Sequence, residues 1–530
     1  MTTPDDGRRR PLVGSGRATR RWWVLGVAVV AVLVVFVDGM VLNVALPRIQ
    51  QELGASQSEQ EWAVAAYSLV FAALLLPFGV VADRFGRRRV LAAGLWVFAA
   101  GSLAAAYADT PTTLIGMRAA MGAGAAAILP ATLAIITDTF DDDERGRAIA
   151  IWAATSGLAV SLGPLVGGVL LSAGLWWGSV LLINVPIVAV ALAGVHLWVP
   201  ESRDPARPML DPRGTLLSVG GLTVLVFGVI RAGQTADWTG GATLGAIVLG
   251  VAVLAWFVHV EAHSPNAAVD MAWFRDPAIA TASAAMALAM FALFGAMLYG
   301  IYFLQFDRGY TPLGAGVLLL GTAAAIVIVA PLSAVLANRH GPRLVCAAGF
   351  GLLAVIYAAM TTVDRATPIA LIEIYLIVLG AGSAMVLAPT TDLVMAAIPR
   401  TRAGAASALT SAVRNLGGAL GIAVLGSVLS TAYRSRIDGM VDVLPPQVRT
   451  IAGESIGGTQ AVVSTVHDTL ADHGSSLLNA ASNAFADAMH IAAAWSATAV
   501  AAALIIVLTW MPRHNRQPSD ADADPEGATR

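Results

Sequence analysis

Apolar runs of about twenty residues, separated by short polar clusters, recur along almost the whole chain. A helix of that length crosses the roughly 30 Å hydrocarbon core of a bilayer. Such windows fall near 22–46, 61–82, 90–108, 112–136, 148–172, 176–199, 214–232, 240–260, 278–304, 312–336, 343–362, 367–391, 403–431 and 487–511, predicting about fourteen spans. One long polar excursion, about 432–486, separates the last two. In it Val462, Val466 and Leu470, then Leu477, Ala481 and Phe485, recur at spacings of three and four, which predicts short amphipathic helices over 459–470 and 475–489. A basic polar arm, 1–21, precedes the first span, and the tail 512–530 turns acidic after Pro518, as in disordered segments.

The arginines between the spans are unevenly shared. An even span count puts both termini on one side, and placing that side in the cytoplasm collects Arg8 to Arg21, Arg84 to Arg89, Arg145, Arg147, Arg203 to Arg213, Arg275, Arg339, Arg343, Arg400, Arg402 and Arg513 onward within it. Arg48, Arg308, Arg365, Arg434, Arg436 and Arg449 remain outside. The positive-inside rule therefore predicts cytoplasmic termini and an outward-facing 432–486 loop.

Composition excludes several classes. With 57% hydrophobic residues, 12% charged and a mean hydropathy of +0.73, the 530-residue chain is too apolar for a soluble globule. A net charge of −2 and arginines in short clusters give no nucleic-acid footprint. All 32 basic residues are Arg, which suggests the codon usage of a GC-rich bacterium. The lone Cys346 rules out a disulfide framework. The first span is too long for a cleavable signal core and should be retained. No nucleophile elbow, dinucleotide fingerprint or P-loop stands in the right context, and His259, Glu261 and His263 lack a third ligand for a metal. An enzyme, a cofactor and a metal are accordingly not expected.

The chain repeats itself. GVVADRFGRRRV at 79–90 returns as ANRHGPRLV at 337–345, with Asn338, Arg339 and Gly341 each 255 positions after Asp83, Arg84 and Gly86. Asp138 is echoed by Asp392 and the Leu162 to Pro164 string by Leu416 to Gly418, both at 254, and the glycines of MGAGAAAILP (121–130) match those of LGAGSAMVLAP (379–389) at 258. Two six-span halves, 22–199 and 277–511, with two further spans in the linker 200–276, account for these echoes. Such repeats build transporters with a mid-membrane site at the repeat interface, exposed alternately to each side.

Several motifs carry a family resemblance across nearly the whole chain. GVVADRFGRRR resembles the loop after span 2 of the major facilitator superfamily. VDGMVLNVALP (37–47) resembles the span 1 signature of its fourteen-spanner drug:proton antiporters, the QacA-like branch, and LINVPI (182–187) is similar to span 6 of that branch. SLGPLVGG (161–168) resembles the antiporter motif of exporters. The resemblance implies an all-α fold of two pseudo-symmetric six-helix bundles plus two inserted helices. It also implies that the hinge network around Gly79, Asp83, Arg84, Gly86, Arg87 and Arg88 stabilises one access state and breaks in the other.

Ionisable side chains within spans are costly and therefore candidates for function. Asp38 and Arg118 lie at similar depths, roughly 12 and 9 Å from the outer ends of spans 1 and 4. Two such groups that move relative to each other change proton affinity, which is the physical content of coupling. Glu373 is a second candidate, with Arg414 as its counter-charge: the 255 offset pairs it with Arg118, the 258 offset pairs Arg118 with Leu376, and either register points Glu373 toward the central cavity. Static ion pairs are the competing reading. Gly79 and Asp83 share a helix face, so Gly79 admits a neighbour while Asp83 meets a helix N-terminus or an arginine. Gly163, Pro164, Gly167 and Gly168 favour a kinked, closely packed helix. Asn43, Trp62, Tyr67, Phe291, Met297, Tyr302 and Gln305 are candidates to line an adaptable cavity for lipophilic cations.

The combined expectation is a monomeric, proton-gradient-driven exporter of small lipophilic, often cationic, compounds in a bacterial plasma membrane. Export of a lipid, metabolite or antibiotic, and proton-coupled uptake, remain open alternatives.

Overall fold

The computed structural model describes residues 15–140, 142–203, 211–264, 271–398, 403–442, 444, 446–465 and 473–513, and those residues form helices joined by short turns. The first half contains α1 (Ser15–Leu53), α2 (Gln57–Phe85), α3 (Arg87–Ala106), α4 (Pro111–Thr139), α5 (Asp142–Ser172), the short α6 (Ser179–Leu182) and α7 (Asn184–Trp198). Two inserted helices follow, α8 (Pro212–Thr235) and α9 (Gly241–His263). The second half contains α10 (Pro277–Tyr302), α11 (Pro312–His340), α12 (Pro342–Met360), α13 (Ile369–Ala397), α14 (Ala403–Val441), α15 (Pro446–Glu454), α16 (Ile456–Thr465) and α17 (His473–Trp510).

Local sequence sets many of these starts. Thr110-Pro111, Asp211-Pro212, Asp276-Pro277 and Thr311-Pro312 each place a side-chain oxygen on an otherwise unpaired backbone N–H, followed by a proline whose missing N–H costs nothing there. Ser56 and Glu59 form a reciprocal capping box at the start of α2. The turns into α3 and α12 rest on Gly86 (φ 117°) and Gly341 (φ 88°), a backbone region that favours glycine.

Twelve described helical segments are long and apolar enough to span a bilayer, and α2 joins them when its two parts, Gln57–Leu75 and Pro77–Phe85, are taken as one bent span. α5 adds the described apolar stretch Leu162–Ser172. Large apolar side chains such as Val190, Leu216, Val248, Trp256, Val335 and Val355 are more than half exposed, an arrangement that lipid, not water, stabilises.

Helix pairing repeats between the halves. α1 packs on α5 and α7, and α4 on α2 and α3; α10 packs on α14 and α17, and α13 on α11 and α12. The crossings are built from the same glycines. Gly94 of α3 meets Gly124 of α4, as Gly349 of α12 meets Gly382 of α13. Gly122 lies against the Tyr67 carbonyl, as Gly380 lies against that of Thr322. Gly163 abuts α1 at Val37, as Gly417 abuts α10 at Ala287. The offset is thus 255 for α3 and α12 but 258 for α4 and α13 (382 minus 124). The halves meet along two related seams, α2 with α14 and α5 with α11, and α8 packs beside the first of them.

Three expectations change. Helical continuation takes up both ends of the excursion 432–486, with the short α15 and α16 between them: α14 runs on to Val441, and α17 starts at His473 with Leu477, Ala481 and Phe485 buried in line with Ala488, Met489 and Ala492. No separate helix therefore ends near 489. Of the predicted helix 459–470, α16 covers the part to Thr465, and 466–472 lie outside the described residues. The sixth span is divided at Ile183 into α6 and α7. Most of the arm 1–21 and of the tail 512–530 lie outside the described residues.

Candidate functional site

Among the described residues, a buried ion pair lies inside the first half. Asp38 on α1 is 0% exposed and Arg118 on α4 is 1% exposed, and Nη1 of Arg118 donates to Oδ2 of Asp38 at 2.5 Å. Arg118 Nε donates to the Ala63 carbonyl of α2 at 3.1 Å, and the guanidinium sits 4.3 Å from the centroid of the Tyr67 ring. The ring is fixed by its hydroxyl, which donates to the Val35 carbonyl at 3.0 Å. On the other side, Asn184 Nδ2 donates to Asp38 Oδ1 at 2.7 Å and lies 3.0 Å from Ser102 Oγ, whose hydroxyl donates to the Leu181 carbonyl. One carboxylate and one guanidinium thereby tie together α1, α2, α3, α4, α6 and α7. Asn184 stands where the sixth span divides, and LINVPI contained it without any visible reason to prefer it to its neighbours.

The second candidate pair does not form. Glu373 is exposed on α13, and Arg414 has no hydrogen-bonding or ionic partner among the described residues. With the α4-to-α13 offset at 258, the counterpart of Arg118 is the buried Leu376, and Glu373 lies one turn earlier, near the start of α13, where it is exposed. Its expected orientation toward the centre is corrected.

At the hinge between α2 and α3, Arg87 bridges Asp83 (3.0 Å) and Asp138 of α4 and approaches the Ala134 carbonyl. Asp83 therefore meets an arginine, while the N-terminus of α3 is met by Glu201, which accepts from Arg88 N at 3.2 Å and lies against Gly86. Arg88 also donates to the His196 carbonyl, Arg84 lies over the Phe85 ring, and Gly79 faces Pro130. At the second hinge Asn338 and Arg339 are exposed, Gly341 lies against the Arg513 carbonyl, and Pro342 occupies the position of Arg87. Among the described residues, the clamp is seen only in the first copy.

Gly163 and Gly167 press α5 against α1 at Val37, Met40 and Val41. On the other face of α5, a β-carbon at Gly168 would lie 2.8 Å from Leu313 Cα, and the Pro164 carbonyl faces Gly316. The motif thus serves both the first bundle and the seam with α11.

Of the expected cavity residues, Tyr67 belongs to the charge network and Asn43 bonds within its own helix to Gly39. Trp62 packs into the apolar cluster shared by α2, α8 and α14. Tyr302 donates to Gln60 Oε1 at 2.5 Å and Gln305 to the Val44 carbonyl at 3.3 Å, so both bridge the halves. Met297 packs partly buried on the core, and Phe291 meets Gly421 through its backbone.

Those bridges, with Leu313 N to Ser172 Oγ and Gln50 Nε2 to Ser455 Oγ, lie at the end bearing α15 and α16. This end, called the loop face below, is shut; the opposite end, with Gly79 to Arg89, is the hinge face.

Residues 28–422 match the Major Facilitator Superfamily. The chain is 34% identical to the multidrug efflux pump LfrA of Mycolicibacterium smegmatis over 92% of its own length and 96% of that protein. It is 34% identical to the methyl viologen resistance protein SmvA of Salmonella typhimurium over 88% and 93% of the respective chains. The multidrug resistance protein Stp of Mycobacterium tuberculosis is 35% identical over 80% of this chain and 79% of its own. A bacterial homologue of the lysosomal transporter Spinster, solved facing inward and unoccupied, shares the fold with a TM-score of 0.65 at 18% identity, over 93% of this chain and 98% of that one. The chain is a multi-pass membrane protein that belongs to the Major Facilitator Superfamily.

Proposed function

We propose that the protein is a proton-driven exporter of small lipophilic, often cationic, compounds that works by alternating access, in the fourteen-span drug:proton antiporter branch. The observation that carries the reading is the buried Asp38–Arg118 pair with its Asn184 tether. With both groups charged, their attraction and hydrogen bonds offset a desolvation cost of several kcal/mol per ion. A proton on Asp38 cancels that attraction and leaves Arg118 on the Ala63 carbonyl and the Tyr67 face, so proton binding alters the tie between α1 and α4. Multidrug efflux and methyl viologen resistance among the relatives support export of such compounds.

The positive-inside bias places the hinge face and both termini in the cytoplasm of the plasma membrane. The shut loop face then makes this the state that receives substrate from inside.

Accumulation of a lipophilic cation by inverted vesicles tests the reading. An imposed gradient, acid inside the vesicle, should drive uptake, and a proton ionophore should abolish it. Uptake that ignores the gradient contradicts proton-driven export.

A further inference from the structure

The seam between α2 and α14 holds a second buried acid that the sequence reading passed over. Glu61, four residues into α2, is 1% exposed at the shut loop face. Its side-chain contact is the neighbouring Gln57, whose Nε2 donates to Oε1 at 3.3 Å. Across the seam stands Gly426 of α14; a β-carbon there would lie 2.5 Å from Glu61 Oε1, so the absent side chain makes room for the carboxyl where it now lies. Among the described residues no cation comes within ion-pair distance of Glu61. The charged group of α14 in the same crevice, Arg434, has Nη2 4.0 Å from Glu454 of α15, and its buried Nε has no hydrogen-bond partner among the described residues. Tyr302 of α10 donates to Gln60, and α8 contributes only Ile230 and Gly233.

The related seam shows that this acid is not needed for packing. Gly316 of α11, 255 positions after Glu61, lies against the Pro164 carbonyl of α5, so the other crossing is built without charge. A carboxylate ion buried without a counter-ion is penalised far more than a neutral carboxyl, and closing the α2–α14 seam removes the water that would solvate it.

We propose that Glu61 is the proton-carrying gate residue of the loop face: it holds a proton while α2 and α14 are in contact, and gives that proton to water on the loop side when they part. Closing the loop face then takes up one proton and opening it releases one, whatever Asp38 does at the centre. The inference rests on the alternating-access reading but not on the role assigned to Asp38.

The test uses spin labels at Leu175→Cys, in the first half, and Ile451→Cys on α15, both exposed, in the full-length protein reconstituted in lipid discs. The buried Cys346 is replaced by Ser. Label separation is measured from pH 5 to pH 9. The wild-type background should show a widened population growing with pH, by up to about tenfold in ratio per unit for one proton. Glu61→Gln should stay narrow throughout, and Glu61→Asp, which keeps a carboxyl, should keep the titration and show that the site tolerates change. A separation independent of pH in the wild type, or an unchanged titration in Glu61→Gln, overturns the proposal. Asp38→Asn in the same labelled pair separates the two readings. A titration kept there and lost in Glu61→Gln supports the gate even if central coupling fails; the reverse overturns the gate and leaves central coupling standing.

Discussion

Asp38 accepts two hydrogen bonds from different helices, and the two donors are not equivalent. Arg118 brings a full charge, whereas Asn184 brings a dipole that fixes where the carboxylate points. Removing one member of a buried ion pair costs about 3 to 5 kcal/mol, while a hydrogen bond to a charged group is worth roughly 1.5 to 3 kcal/mol. Asn184→Val should therefore lower transport by at least about tenfold in a vesicle assay without abolishing it. At the hinge the same comparison favours Arg87, which bridges two carboxylates, over Asn338 and Arg339, which are exposed. Arg87→Gln should slow drug efflux about tenfold, a shift of roughly 1.4 kcal/mol between access states, and Asn338→Ala should change it less than about twofold. Equal losses in the two variants would contradict a clamp confined to the first copy.

Helices pass these local events on through contacts too close to bend. Gly168 lets α5 approach the α11 backbone at Leu313, and no flexible side chain is there to yield. Gly168→Leu should force the α5–α11 seam apart at the loop face, seen as faster modification of a cysteine placed at Leu313. Unchanged reactivity would show that the seam does not depend on that approach. α15 offers a pH-dependent counterpart. Burial pushes the Glu454 carboxyl above the ordinary range, against the smaller opposing pull of Arg434. A group that binds its proton more tightly folded than unfolded stabilises most at low pH, and that contribution fades as pH rises through its folded-state value. Tryptic cleavage at Arg449 should accelerate as pH rises from the acid side, after correction for the enzyme's own pH dependence, and Glu454→Gln should flatten the change.

For the whole molecule, the two-half plan was readable because hinge glycines and apolar spans recur at regular offsets, and a bilayer permits few other ways to place such segments. The site was readable where a charge stood alone in an apolar span, as with Asp38 and Arg118. It failed where position depends on tertiary packing around a helix: the 258 register put the buried Leu376 in the place of Arg118 and left Glu373 one turn earlier on α13, exposed. Glu61 was missed because Gln57, Ser58, Glu59 and Gln60 make the start of α2 look like a solvated loop, and only tertiary packing brings Gly426 over it.

Under the proposed function, reversible protonation of the Asp38–Arg118 pair links the proton gradient to alternation between the halves. Substrate-triggered proton flux in inverted vesicles, compared between wild type and Asp38→Asn at matched expression, measures that link. The wild type should dissipate a preset pH gradient when a transported lipophilic cation is added, and Asp38→Asn should leave it intact. Equal dissipation by both proteins with every transported compound would contradict the assignment of Asp38 as the coupling residue.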